Sequence, residues 1–236
     1  MPNLSYIERR DELHHYFDRT AAEAWRRMMS EEPLGRIRAT VRAGRAEMRA
    51  ALLAKLPEDL AGLRLLDAGC GSGDFAFAAA ERGAEVVAVD VAESLLDQGR
   101  RRKAGWSGRG SVRFLHGDMC DPALGRFDYI IAMDSLIHYA PRDMLAVLGH
   151  LAQRTEQAIL FTVAPKTPLL ATMHFMGRLF PRSNRAPAIE PIAPRRLCRR
   201  VAVHPGLEEW RASAGRRISR GFYISQAMEL ERRCAE

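Results

Sequence analysis

The stretch LRLLDAGCGSGDF, residues 63–75, passes from an apolar run into three glycines spaced two apart, Gly69, Gly71 and Gly73, and then into a helix-forming segment. Glycines at this spacing let the chain bend tightly and let a ligand touch the backbone at the positive end of the following helix. The strand-turn-helix context is what a nucleotide-binding turn requires. The downstream sequence agrees, because short β-branched or apolar runs (AEVVAVD, VRFLHGD, FDYIIAMD and AILFTVAP) alternate with helical stretches. That alternation predicts an α/β fold with a mostly parallel sheet and helices on both faces.

Outside this core the pattern changes. Residues 6–56 read as helical throughout, with Leu34, Ile37, Val41, Met48 and Leu52 at helical steps and Pro33 placed for a first turn. They are expected to form a helical N-terminal cap, 1–56, closing over the ligand bound by the core domain, 57–236. Between Lys166 and Pro194 proline interrupts any regular element, and 165–197 reads as an inserted lid. After it, CRRVAVHP and RGFYISQAMEL are expected to supply the last two strands, paired antiparallel as an edge hairpin.

A dinucleotide fold would carry G-x-G-x-x-G, but the position after the second x-x is Asp74, so the loop reads G-x-G-x-G. Asp67 precedes it, Asp90 ends the next strand, and Asp118 with Met119 follows the third in HGDM. One carboxylate can meet a cationic amino-acid moiety, the second both ribose hydroxyls and the third an adenine amino group, with Met119 as an apolar wall. Residues 60–165 thereby resemble the class I S-adenosylmethionine-dependent methyltransferases. The resemblance implies a Rossmann-like seven-stranded sheet and S-adenosyl-L-methionine as cofactor, leaving as S-adenosyl-L-homocysteine. It further implies cofactor contacts from Asp67, Gly69, Cys70, Gly71, Ser72, Gly73, Asp90, Val91, Asp118, Met119, Met133 and Asp134. Arg42, of VRAGR, is a candidate for the cofactor carboxylate, with a solvent-facing arginine as the plain alternative.

Composition narrows the surroundings. No run approaches the ~20 apolar residues of a membrane span, and the first residues carry acids where a signal peptide has its apolar core, so a cytoplasmic chain is expected. Cys70, Cys120, Cys198 and Cys234 form no C-x-x-C pair and no metal-ligand spacing, which predicts free thiols and no protein-bound metal. The net charge of +7 is concentrated in runs such as RRLCRR and GRRISR, whose default reading is a solvated face.

The acceptor must be read elsewhere. The tetrad D/N-P-P-Y/F of amino-methylating enzymes is absent after the fourth strand, where AMDSLIHYAP stands. HHYFDRTAAEAWRR, VRAGR, FTVAPKTPLL, GRLFPRSNRAP and RGFYISQAME together resemble the magnesium protoporphyrin IX O-methyltransferase family, in its purple-bacterial form, over essentially the whole chain. Members esterify one propionate of the magnesium porphyrin in bacteriochlorophyll and chlorophyll synthesis. The resemblance implies substrate contacts from Tyr16, Trp25, His138, Tyr139, Lys166, Arg178, Phe180, Arg182 and Arg185. His138, placed after the fourth strand at the carboxyl end of the sheet where the acceptor should sit, is the candidate catalytic group, to hydrogen-bond the propionate, take up a proton or approach the magnesium axially, with a core or capping histidine as the alternative. One departure stands out: oxygenic members commonly carry a Tyr shortly after that Trp, whereas Trp25 is followed by Arg26, Arg27, Met28 and Met29.

The residues agree with such a substrate. A flat macrocycle needs a wide apolar slot and cationic anchors, and 166–187 mixes Leu, Met and Phe with Lys166, Arg178, Arg182 and Arg185, although ordinary core and a solvated rim would look the same. Implied partners are magnesium protoporphyrin IX and, without being required, the magnesium chelatase large subunit and peripheral contact with the photosynthetic membrane. No nucleic-acid partner is expected. The runner-up is an O-methyltransferase of a quinone-ring or other small aromatic hydroxyl, and the lesser alternative an RNA-binding methyltransferase.

Overall fold

The computed structural model describes residues 4–20, 34–166 and 189–233. Its seven strands are β1 (Arg64–Ala68), β2 (Glu85–Asp90), β3 (Ser111–His116), β4 (Phe127–Ala132), β5 (Thr155–Val163), β6 (Trp210–Arg220) and β7 (Tyr223–Arg232). They form one sheet in the order β3-β2-β1-β4-β5-β7-β6. The first five are parallel, and β7 runs antiparallel between β5 and β6.

Near-continuous apolar strands build this sheet because both of its faces are covered. Successive side chains point to opposite faces. Leu65, Val86, Ala88, Ile131 and Leu160 therefore join one core, packed under α2 (Leu34–Leu53), α3 (Asp74–Glu81) and α4 (Glu93–Ala104). Their neighbours Leu66, Val87, Val89, Ile130 and Ile159 join the other, under α1 (Leu4–His15), α5 (Pro141–Ala152) and α6 (Pro194–Val201). Each Val, Leu or Ile side chain buried in this way contributes on the order of 1.5–3 kcal/mol of transfer free energy.

The expected α/β class and the first five strands are found where the pattern puts them. The C-terminal end differs. CRRVAVHP is not a strand: Pro194 opens α6 at its first position, and Leu197 and Val201, four apart, are buried. The penultimate strand is β6, drawn from WRASAGRRISR, whose arginines obscure its alternation. Its hairpin with β7 turns at Gly221, φ 55, and lies at the sheet edge as expected. The helical reading of 6–56 holds for α1 and α2, with a π-helical turn at Tyr16–Thr20, while 21–33 lies outside the described residues. Of the expected lid, residues 189–193 lead directly into α6, so 194–197 belong to that helix. The Ile192 amide donates to the Ala164 carbonyl at 3.0 Å, and the Glu190 amide to that of Ile137 at 2.8 Å. No helix among the described residues is long and apolar enough to cross a membrane.

Candidate active site

At the carboxyl end of β1 the chain must reverse into α3, and Gly69, Gly71 and Gly73 take the left-handed region at φ 78, 55 and 79. At Gly69 a side chain is excluded outright, because a Cβ there would stand 2.4 Å from the Cβ of Ser135. The turn is tied to β2 by backbone: the amides of Gly69 and Cys70 donate to the Val89 carbonyl at 2.8 and 3.1 Å. The Gly71 amide donates to Asp90 Oδ2 at 2.7 Å, and the Ala92 amide to Oδ1 at 2.9 Å. Burial raises the Asp90 pKa and these amides partly oppose it. Asp67 lies beneath the turn, 2% exposed, accepting from the Ala76 amide in the first turn of α3 at 3.1 Å. Burial pushes its pKa up to about 7, the charges of Asp90 and Asp74 adding to that and the Ala76 amide opposing it.

A cleft of about 490 Å³ opens over this turn and extends across the ends of β4 and β7. On the glycine side it is walled by Gly69, Gly71, Ser72, Asp90, Val91 and Met119. The loop carrying Met119 is held from below by the buried guanidinium of Arg154, which donates to the carbonyls of Met119 and Asp121. Four of the expected contacts stand behind this wall. Asp67 supports α3; Cys70, whose thiol pKa burial pushes up, and Gly73 shape the turn; and Asp118 faces elsewhere.

The reason lies in α1, which roofs the cleft with Tyr6 and Leu13, while Tyr16 and Phe17 of the following turn extend that roof. Asp118 serves this roof: Oδ1 accepts from the Tyr6 hydroxyl at 2.6 Å and from the Cys120 amide at 2.8 Å, and Oδ2 pairs with Arg10 at 2.9 Å. The sequence reading put an adenine amino group at this carboxylate; the structure turns both its oxygens toward groups of the protein. Burial raises the Tyr6 pKa strongly. Arg9 Nε donates to the His138 carbonyl at 2.8 Å, and Asp18 accepts from the Ser94 amide at 3.1 Å, supplying to α4 the cap its own Ala92 lacks.

On the far side stands Asp134, which with Met133 lines the cleft. Among the described residues it is the one non-glycine with positive φ, 56°. Its amide donates to Thr162 Oγ1 at 2.8 Å, and that hydroxyl returns a bond to Oδ1 at 3.1 Å. The Tyr223 hydroxyl lies 3.1 Å from both carboxylate oxygens and Arg45 Nε 3.4 Å from Oδ2. A conformation costing about 1–3 kcal/mol is thus over-determined by its surroundings, a pattern that clusters at functional sites. Arg42, a candidate for the cofactor carboxylate with a solvent-facing arginine as its alternative, is exposed and does not line the cleft; Arg45, one turn along α2, does.

His138 ends a 3-10 turn, Leu136–His138, and half-buried lines the cleft with its ring 6.2 Å from that of Phe17. Tyr139 also lines it, stacked on Tyr6 at 4.9 Å, and burial raises its pKa. Lys166 is exposed and off the cleft. Trp25, Arg178, Phe180, Arg182 and Arg185 lie outside the described residues. Sequence reading missed Tyr6, Arg45, Ser135, Phe222, Tyr223 and Ser225. Tyr6, Tyr223 and Ser225 sit in runs that packing alone explains, and Arg45, Ser135 and Phe222 carry no local spacing that marks them. Ser135 is informative: its Oγ is buried beside Gly69 and has no hydrogen-bond partner among the described residues.

Comparison with known proteins covers the whole of this architecture. Residues 65–157 match the family model of a methyltransferase domain, and 132–232 that of the magnesium-protoporphyrin IX methyltransferase C-terminus. The chain is 48% identical over 230 residues to the magnesium-protoporphyrin O-methyltransferase of Rhodobacter capsulatus, covering 97% of this chain and 99% of that one. It is 30% identical over 173 residues to the Synechocystis magnesium-protoporphyrin O-methyltransferase, covering 72% and 75%. The crystal structure of the Synechocystis PCC 6803 magnesium protoporphyrin IX methyltransferase with bound SAH superimposes with a TM-score of 0.75 at 25% identity, over 94% of this chain and 99% of that one.

Proposed function

The chain belongs to the magnesium-protoporphyrin IX methyltransferase family, and on that premise we propose that it transfers a methyl group from S-adenosylmethionine to a propionate of magnesium protoporphyrin IX, giving the monomethyl ester. The observation that carries this reading is one continuous cleft. Its Gly69–Asp90 half suits a ribose and its Asp134–His138 half leaves room for an acceptor. The residues fit the cofactor: Asp90 keeps acceptor capacity for ribose hydroxyls beyond its two amide bonds, and Ser135 Oγ offers an unmet polar atom beside the glycine turn.

Held by Gly69, Gly71, Asp90 and Ser135, the cofactor would supply an electrophilic sulfonium methyl for a carboxylate oxygen and would leave as the neutral thioether S-adenosylhomocysteine. A propionate of pKa ~4.3, by analogy with Glu, is already ionised at neutral pH, so the protein need not act as a strong base. Its residues instead orient the acceptor in line, which can supply on the order of 7–11 kcal/mol. His138, at the strand-end turn, is the group we assign to hold the reacting carboxylate by hydrogen bonding. The aromatic roof lies beside that contact, with the Phe17 ring 6.2 Å from that of His138, and would limit the water around it.

The pigment titration tests this directly: magnesium protoporphyrin IX should shift its Soret band on mixing with the protein, and an unshifted spectrum would reject the acceptor. For the cofactor half, Asp90→Ala should weaken S-adenosylhomocysteine binding by about a hundredfold in calorimetry, equivalent to ~2.7 kcal/mol. We further propose peripheral membrane contact through α6, where Arg195, Arg196 and Arg199 are exposed and Val203 just beyond is 81% exposed. Arg199→Glu with Arg195→Glu should then abolish sedimentation with anionic vesicles. Loss of magnesium chelatase binding with vesicle binding intact would move the dock from lipid to protein.

A further inference from the structure

The tip of the β6–β7 hairpin carries an aromatic side chain that the fold does not use. Phe222 is 51% exposed, and among the described residues it is the one aromatic so exposed. It also lines the cleft, next in sequence to Tyr223, whose hydroxyl is bonded to Asp134. Elsewhere the hairpin turns Arg211, Arg216, Arg217 and Arg220 to water, so an apolar ring at its tip is out of keeping with its surface.

The tip is held in place. Arg220 and Arg216 both reach Glu47 of α2, at 2.9 and 2.6 Å. Gly221 sits against Thr40, where a Cβ would come 3.1 Å from Oγ1. Gly44 allows the Tyr223 ring to lie on α2, since a Cβ there would stand 2.4 Å from Cδ1. Tyr223 is in turn bonded to Asp134. Phe222 is therefore carried on a fixed stretch of backbone at the rim of the cleft, two residues before buried Ile224, and shares the cleft lining with apolar Ile137, Ala164 and Ile189.

We propose that Phe222 is a specificity-determining residue: a platform on which the flat face of an extended, conjugated macrocycle stacks while its carboxylate reaches toward His138. This rests on the reading of the acceptor as a magnesium porphyrin. An aromatic face gains from offset stacking on another π-system in addition to the area it buries, and a macrocycle overhanging the rim covers the exposed ring. A small phenol held deep in the cleft would not reach it.

The test uses the full chain with Phe222→Ala and Phe222→Tyr. Phe222→Ala should raise both the Kd from Soret titration with magnesium protoporphyrin IX and the KM for that pigment by about tenfold. Its kcat and its calorimetric affinity for S-adenosylhomocysteine should stay near the parent values. Phe222→Tyr should restore pigment binding. Parent-like pigment affinity in Phe222→Ala overturns the platform while leaving the function standing. A parent protein that binds S-adenosylhomocysteine yet leaves the Soret band unmoved overturns the acceptor reading and the platform with it.

Discussion

The two halves of the cleft are built by different means. The glycine half is made of backbone: the turn at Gly69–Gly73 hangs from the Val89 carbonyl and from the Asp90 carboxylate, 19 residues on from Gly71. The Asp134 half is made of side chains brought from four elements, with Tyr223 lying 89 residues from Asp134 and Thr162 lying 28. A backbone-built site tolerates few residue types and so writes itself into the sequence. A side-chain cage writes only ordinary-looking residues, and its members are recognisable once they stand together.

That contrast can be broken experimentally. The largest effect is expected beneath the glycine half, at Asp67. The fold holds its pKa at about 7, above the ~3.9 of an unfolded Asp. Its stabilisation is therefore complete below about pH 4 and lost as pH rises through 7. Asp67→Asn should come within about 1 kcal/mol of the parent near pH 4.5 and exceed it at pH 8, by up to about 4 kcal/mol in urea unfolding of the ligand-free protein. A difference independent of pH would show that burial does not govern this carboxyl. Next comes Gly69→Ala, which combines a left-handed backbone with the Ser135 clash. A loss of about 3 kcal/mol, read as a fall in Tm, is expected, and a variant as stable as the parent would contradict the close approach.

In the side-chain half the effects should be smaller. Tyr223→Phe removes one hydroxyl from a carboxylate that keeps the Thr162 bond and the nearby Arg45, and should cost about 1–2 kcal/mol. A null result would demote this contact to mere proximity. Arg45→Ala should cost least, below about 1 kcal/mol, because the guanidinium is half-exposed and 3.4 Å from its partner. If it proved the costlier of the two in urea unfolding, the cage would be electrostatic rather than hydroxyl-built.

Legibility followed the same line. Strands β1 to β5 were readable because a strand buried on both faces is a short apolar run, as in EVVAVD and FDYIIA. Strand β6 was not, because an edge strand with most of one side in water can spend its positions on Arg and Ser. CRRVAVHP misled because Leu197 and Val201 suit either period until Pro194 is seen to start a helix. Asp118 is the sharper case. Its spacing put it at a strand end near a ligand, but whether its oxygens meet that ligand or Tyr6 and Arg10 depends on where a helix 108 residues away folds back.

The sequence by itself determined the alternation of strands and helices, the left-handed glycine turn and the acid that ends β2. All of these follow from steric and burial demands acting within about 20 residues. Only the tertiary structure decided that Arg45 rather than Arg42 reaches the cleft, that Asp134 is caged by Thr162 and Tyr223, and that Phe222 stands bare at the rim. Those outcomes depend on how α2 and the β6–β7 hairpin pack together at Gly44 and Gly221, and such a long-range fit leaves no local periodicity to read.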